Sequence, residues 1–144
     1  DLSRGIQFPT WCVDGKMNIV HNCVEKWVEN EADRKKIAIA FEGEDGITKT
    51  LTYEDVDKEI NKTANALRTL GLGKGNTIGI FMPMTPEIVI ALLAIAKIGG
   101  IILPLFSGYG AGAIASRMVD ADAKALFAAD GAFRRGKAGE MNKK

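Results

Sequence analysis

Apolar residues along this chain follow different periods in different stretches, and the changes mark its elements. Residues 1–17 carry Gly5, Pro9 and Gly15 and show no sustained period, which predicts an extended lead-in. Helical spacing begins at Asn18, which can cap a short helix to about Asn30 with Ile19, Cys23 and Trp27 four residues apart on one face. Ile37 to Phe41 is a β-rich run, Glu44-Asp45-Gly46 signals a turn, and Thr48 to Leu51 can return beside the first run, so a hairpin is expected. The next helix has two marked ends. Thr52 and Asp55 have capping-box spacing, although Asp is shorter than the usual Glu. Val56, Ile60, Ala64, Leu67 and Leu70 fall on one face, and Gly71 stands where a left-handed C-terminal cap is wanted, with Leu72 able to cover the end.

From Thr77 the order becomes strand, helix, strand, helix, strand. Thr77 to Met82 is a continuous apolar strand, and Thr85 caps a helix with Pro86 at its first position. That helix runs to about Ile98 and ends at Gly99-Gly100. Ile101 to Leu105 is a strand, Ala111 to about Val119 a helix, and Lys124 to Ala128 another strand. Helices alternating with unbroken apolar strands predict an α/β fold, with a mostly parallel sheet covered on both faces, preceded by a helix and a short β-hairpin. Ile88 to Leu105 approaches the length of a membrane span, with Lys97 its only charge. Gly99-Gly100 and Pro104 interrupt it, so a buried helix followed by a buried strand is expected instead, with no membrane partner.

At 144 residues, with 47% apolar and 26% charged residues, the chain is long enough for one domain with a core. A net charge of +1 argues against nucleic acid as the main partner. The charge is uneven. Five basic residues and one acid lie between Arg134 and Lys144, which leaves fourteen basic and seventeen acidic residues before them. Taken alone, that basic tail reads as a solvated terminus. Cys12 and Cys23 are not spaced as a metal or redox pair, and no Cys/His cluster completes a zinc site. They read as buried or idle thiols in a reducing compartment. His21, the single histidine, reads as structural. The first residues lack the basic and apolar runs of a signal peptide, so a cytoplasmic setting is expected.

One motif invites a specific chemistry. Gly108-Tyr109-Gly110-Ala111-Gly112-Ala113 fits the loose G-x-G-x-x-G/A pattern between a strand and a helix, and Asp130 lies near the end of the next strand. In a dinucleotide site such glycines admit a pyrophosphate to a helix N-terminus and the acid holds a ribose. Against this, the element follows two earlier strands, Pro104 disturbs the strand before it, and Ser107 and Tyr109 make the loop bulky. Glycines needed for close packing at a helix start are the commoner explanation.

Several stretches, in order, resemble the AMP-forming acyl-CoA synthetases, particularly those acting on acetate and propionate. Trp11 to Asn18, followed by Asn22-Cys23-Val24-Glu25, is similar to their W-x-x-G-G-x-L-N…N-C segment, with Asp14 where a glycine is common. Leu51-Thr52-Tyr53-Glu54-Asp55-Val56 resembles L-T-Y-x-E-L, and Gly73 to Glu87 resembles G-V-x-K-G-D-x-V-x-I-Y-M-P-M-x-P-E. Ala96-Lys97-Ile98-Gly99-Gly100 and Phe106-Ser107-Gly108-Tyr109 look like the family's A-K-I-G-G and F-x-G-F segments. Ala123 to Leu126, then Asp130 to Lys137, is similar to A-K-x-L-x-T-A-D-G-x-x-R-x-G-K/R.

The resemblance implies a carboxylate–CoA ligase that uses ATP, Mg²⁺ and CoA. A carboxylate attacks the α-phosphorus of ATP to give an acyl-adenylate and pyrophosphate, and the thiol of CoA then displaces AMP. It implies that residues 1–144 are the incomplete N-terminal portion of the large AMP-binding domain. The ATP motifs are expected beyond Lys144, the lysine-bearing C-terminal domain is absent, and no catalytic or metal-binding residue lies within the chain. The stretch alone is then expected to be inactive and to bind no cofactor tightly. One site carries over: the R-x-G-R/K segment that contacts the CoA nucleotide would be Arg134, Arg135, Gly136 and Lys137. The alternatives are an oxidoreductase using Gly108–Ala113 and a stand-alone interaction domain.

Overall fold

The computed structural model describes residues 1–134 and 136–140. The lead-in runs without regular structure to residue 18 and carries two left-handed residues, Cys12 (φ 47°) and Asp14 (φ 62°). Asp14 therefore holds a conformation that only glycine enters without steric cost. A π-helical turn, His21–Glu25, leads into a short α-helix α1, Lys26–Glu29. Val20 and Val24 of this stretch are buried, while Ile19, Cys23 and Trp27 are exposed. The inward face is therefore one residue away from the expected one. Cys12 is also exposed, so neither thiol is a buried core group.

The hairpin forms as expected, with β1 (Ile37–Glu42) antiparallel to β2 (Thr48–Thr52). Helix α2, Tyr53–Thr69, starts at a reciprocal capping box: the Asp55 N–H donates to Thr52 Oγ1 at 3.2 Å, and the Thr52 N–H donates to Asp55 Oδ2 at 3.0 Å. Its C-terminus closes as a Schellman motif, with Gly71 at φ 80° and the Leu72 N–H donating to the Leu67 carbonyl at 3.0 Å. Val56, Ile60, Ala64 and Leu67 are buried as the periodicity required. Leu70 is 74% exposed, because it is the C-cap where the chain leaves the helix, and Leu72 packs on the core in its place.

Three strands make the parallel sheet, in the order β4 (Ile101–Pro104), β3 (Thr77–Phe81), β5 (Ala125–Ala128). Ile78 aligns with Ile102 on one side and Ala125 on the other. The central strand is buried throughout, which accounts for its unbroken apolar run. Pro104 ends an edge strand, where its missing N–H leaves no ladder bond unmade. Ile78 and Ile80 join the main core with α2, α3 (Pro86–Lys97) and the π-helical turn. Phe81 and Leu105 form a smaller core on the other side with Ile114 and Met118 of α4 (Ala111–Asp120). Both faces of the sheet are thus covered. No helix among the described residues is long and apolar enough to cross a membrane.

A second hairpin, β6 (Gly131–Arg134) with β7 (Lys137–Glu140), follows β5. The pattern of the sequence did not announce it.

Candidate functional site

The carried-over basic residues lie at the turn of this second hairpin. Arg134 and Lys137 are its last register pair, and Gly136 takes φ 71° between them. A positive φ of this kind is what a two-residue turn demands, and glycine meets it without strain. Arg135 lies outside the described residues. Backbone N–H groups in such a turn, beside basic residues, favour an anion.

An anion is already there. The Gly136 N–H donates to Glu44 Oε2 at 3.4 Å. Glu44 belongs to the turn between β1 and β2, which also carries Asp45 and follows Glu42 at the end of β1. Asp45 Oδ1 accepts from the Ile47 N–H at 3.1 Å, and the Gly43 N–H donates to the Ile47 carbonyl at 2.8 Å, so the acidic turn is internally braced. The sequence had marked Glu44-Asp45-Gly46 only as a turn. A block of acids there and a block of bases near the end of the chain was the available signal, but the two lie 92 residues apart and no local period joins them.

Between the two hairpins and the loop after β3 is an open cavity of about 840 Å³. Phe41, Met84 and Phe133 give it apolar wall, and Glu44 and Asp130 stand among its lining residues. Thr85 and Glu87 begin α3 beside it. The Glu87 carboxyl is held below its ordinary pKa, chiefly by a hydrogen bond from Lys49 Nζ at 2.8 Å against the opposing effect of burial. That contact ties the first hairpin to α3.

The glycine loop is built differently from a dinucleotide site. Residues 105–110 separate β4 from α4, too long for a tight phosphate turn. Phe106 and Tyr109 fill this loop with an edge-on ring contact at 5.7 Å, and the Arg117 guanidinium lies over the Tyr109 ring at 4.3 Å. Gly110 caps α4, yet a Cβ at Gly110 or Gly112 would meet open space. The expectation that these two glycines serve close packing is therefore corrected. Only at Gly108 would a Cβ collide, 2.5 Å from the Phe106 ring.

The lone charge of the apolar stretch also has its reason. Lys97 Nζ donates to Glu25 Oε1 at 2.6 Å and lies 3.9 Å from Asp57 Oδ1. The hydrogen bond from Lys97 lowers the pKa of Glu25, against a desolvation that raises it. Asn18 Nδ2 donates to the Ala96 and Lys97 carbonyls at 3.3 and 3.1 Å, while its Oδ1 accepts from the Val20 N–H. Asn18 thus serves two helix ends at once. His21 sits beside this cluster, with Nδ1 3.5 Å from Glu25 Oε2. Among the described residues, no three His, Cys, Asp or Glu side chains gather to hold a metal.

Comparison with known proteins places these features in context. The family model described as AMP-binding enzyme matches residues 24–143. The acetyl-coenzyme A synthetase of Streptomyces avermitilis is 47% identical over 131 residues, covering 90% of this chain and 20% of its own. The 3-hydroxypropionyl-coenzyme A synthetase of Sulfurisphaera tokodaii is 47% identical over 133 residues, covering 92% and 20%. Among solved structures, the acyl-CoA synthetase of Brucella canis superposes with a TM-score of 0.70 and 28% identity, covering 76% of this chain and 20% of that one. The chain therefore spans about a fifth of the length of these relatives.

Proposed function

Because the chain belongs to the AMP-binding enzyme family, we propose that it is the N-terminal part of an AMP-forming carboxylate–CoA ligase acting on a short-chain acid such as acetate or propionate. The observation that carries this reading is the 47% identity to an acetyl-coenzyme A synthetase across nine-tenths of the chain. A 3-hydroxypropionyl-coenzyme A synthetase matches equally well. This stretch is thus shared by enzymes named for different acyl groups, and the choice of acid belongs to residues elsewhere in the parent protein. Nothing in the comparisons favours a nicotinamide-dependent oxidoreductase.

In the parent enzyme the carboxylate attacks the α-phosphorus of ATP, pyrophosphate leaves, and the CoA thiol then displaces AMP from the acyl-adenylate. The part assigned to this chain is to hold CoA through Arg134, Arg135, Gly136 and Lys137. Arginine offers a planar fork of donors to phosphate oxygens, lysine offers a point charge, and the Gly136 N–H adds a donor in the same turn. The register pairing of Arg134 with Lys137 supports this, since both flank that donor. Among the described residues, no group of three or more His, Cys, Asp or Glu side chains could hold Mg²⁺.

The test is the Arg134→Ala/Lys137→Ala double variant of the full-length parent enzyme. A charge-assisted hydrogen bond contributes about 1.5–3 kcal/mol, so CoA affinity should fall about tenfold or more, and the loss should shrink at high salt. Acetate-driven ATP–pyrophosphate exchange should persist, because ATP and the acid bind elsewhere. Collapse of exchange with an unchanged CoA dependence would reverse the assignment.

A further inference from the structure

We propose that residues 2–17 form an apolar strap that docks onto the part of the parent protein lying outside residues 1–144. This rests on the reading of the chain as one part of a longer enzyme. Leu2, Ile6, Phe8, Trp11, Val13 and Met17 are the large apolar side chains of the lead-in, and each is between 55% and 79% exposed. Apolar residues scattered singly over a surface need no explanation, but six along one short segment make a patch of the kind that marks an interface. The segment nevertheless has a defined shape. The Gly5 N–H donates to the Leu2 carbonyl at 2.9 Å, the Phe8 N–H to the Gly5 carbonyl at 3.1 Å, the Thr10 N–H to the Asp1 carbonyl at 2.9 Å, and the Gly15 N–H to the Cys12 carbonyl at 2.8 Å. Where it joins the body, Asn18 pins it to the last carbonyls of α3. A strip shaped in advance, with its apolar groups outward, loses little entropy on docking.

The total surface says what covers the strip. A compact monomer of 15.5 kDa exposes about 7,200 Å². This chain exposes 9558 Å², an excess of about 2,300 Å² over that scaling. An ordinary contact between two proteins covers about 800 Å² on each partner. The excess is several times larger, on the scale of surface that lies inside one folding unit. The relatives supply such a unit, since the matched stretch is 20% of the length of each. The occupant is therefore the rest of the parent chain, and a second copy of this stretch is the competing occupant that the experiment rejects.

The experiment is hydroxyl-radical footprinting of the full-length parent enzyme, read by mass spectrometry at Trp11 and Met17, the two oxidisable side chains that stand 79% and 71% exposed in this stretch. Both should oxidise at least about tenfold more slowly than in the urea-unfolded parent, the factor given by a strap docked nine-tenths of the time. The protection should not change between about 10 µM and about 0.1 µM protein, because docking within one chain has no concentration dependence. Trp11→Ala should raise Met17 oxidation at least about threefold, since a strap that docks as one unit opens as one unit. Oxidation of both residues at the unfolded rate would overturn the proposal. Protection that disappears on dilution would also overturn it, by making a second copy the cover. Met17 oxidation unmoved by Trp11→Ala would overturn the single strap. Acetate-driven ATP–pyrophosphate exchange on the same preparation tests the ligase reading separately. Protection without exchange sinks that reading and upholds the strap, and exchange without protection does the reverse.

Discussion

Replacing Lys97 by Met should cost the chain about 1–2 kcal/mol of stability at neutral pH, and most of that cost should disappear in acid. Lys97 and Glu25 are 2.6 Å apart, with side chains 17% and 32% exposed. A hydrogen bond to a charged group contributes about 1.5–3 kcal/mol, and breaking a fully buried pair costs about 3–5 kcal/mol. The freed Glu25 is a third exposed and regains water, which puts the expected loss below the buried limit. Met also keeps most of the lysine stem's packing. One further cost remains. Asp57 Oδ1 is buried without a hydrogen-bond partner among the described residues, and it would lose the cation 3.9 Å away. Glu25→Gln should cost less, about 1 kcal/mol, because Lys97 keeps Asp57 as a neighbouring anion. The two changes together should cost less than their sum by about 1 kcal/mol, the coupling expected of residues in direct contact. The pH dependence follows from the sign of the Glu25 shift. Its folded pKa lies below the unfolded value of about 4.3, so its stabilisation is present above that pH and is lost as the pH falls through the folded pKa. The Lys97→Met penalty should therefore be full at pH 7 and shrink in acid, below about 4.3, as the pH falls through the folded pKa. Urea denaturation of the four proteins at pH 7 and in acid measures each quantity. Strict additivity, or a penalty unchanged by pH, would refute the reasoning.

The two glycines after α3 should fail for different reasons when replaced. Gly99 has φ 76°, so Gly99→Ala should cost about 1 kcal/mol and Gly99→Asn less, because Asn tolerates the left-handed region. At Gly100 a Cβ would lie 2.9 Å from Cγ2 of the fully buried Ile95, and 3.2 and 3.3 Å from the Ile95 and Asn76 carbonyl oxygens, so Gly100→Ala should cost about 1–3 kcal/mol and Gly100→Asn no less. Thermal melts of the four variants separate the two mechanisms, and a Gly99→Asn as damaging as Gly100→Asn would contradict them. The purified 144-residue chain should support no acetate-driven ATP–pyrophosphate exchange, and measurable exchange would overturn the division of labour proposed between this stretch and the rest of the parent enzyme.

Local chemistry was enough wherever one stretch of chain satisfies itself. Thr52 and Asp55 exchange their hydrogen bonds within four residues, and Gly71 closes α2 with atoms of the same helix, so the sequence placed both ends of that helix. The Glu44-Asp45-Gly46 turn and the unbroken apolar run of β3 belong to the same class, because turn dihedrals and two-sided burial leave marks on single residues. The family resemblance likewise rested on short ordered stretches that the sequence carries by itself. Tertiary structure decided what local rules leave degenerate. Ile19, Cys23 and Trp27 repeat every four residues, but so do Val20, Val24 and Val28. Both sets form an apolar stripe, and only packing against α2 and α3 selected the valines. Lys97 looked like an anomaly in an apolar run until the fold brought Glu25 and Asp57 to it. Arg134 and Lys137 read as part of a solvated tail by composition, while the fold pairs them across a hairpin with Glu44 against Gly136 between them. In each case the deciding partner lies tens of residues away. The free energy of such a contact depends on where the intervening chain is folded, and that information is absent from either segment alone.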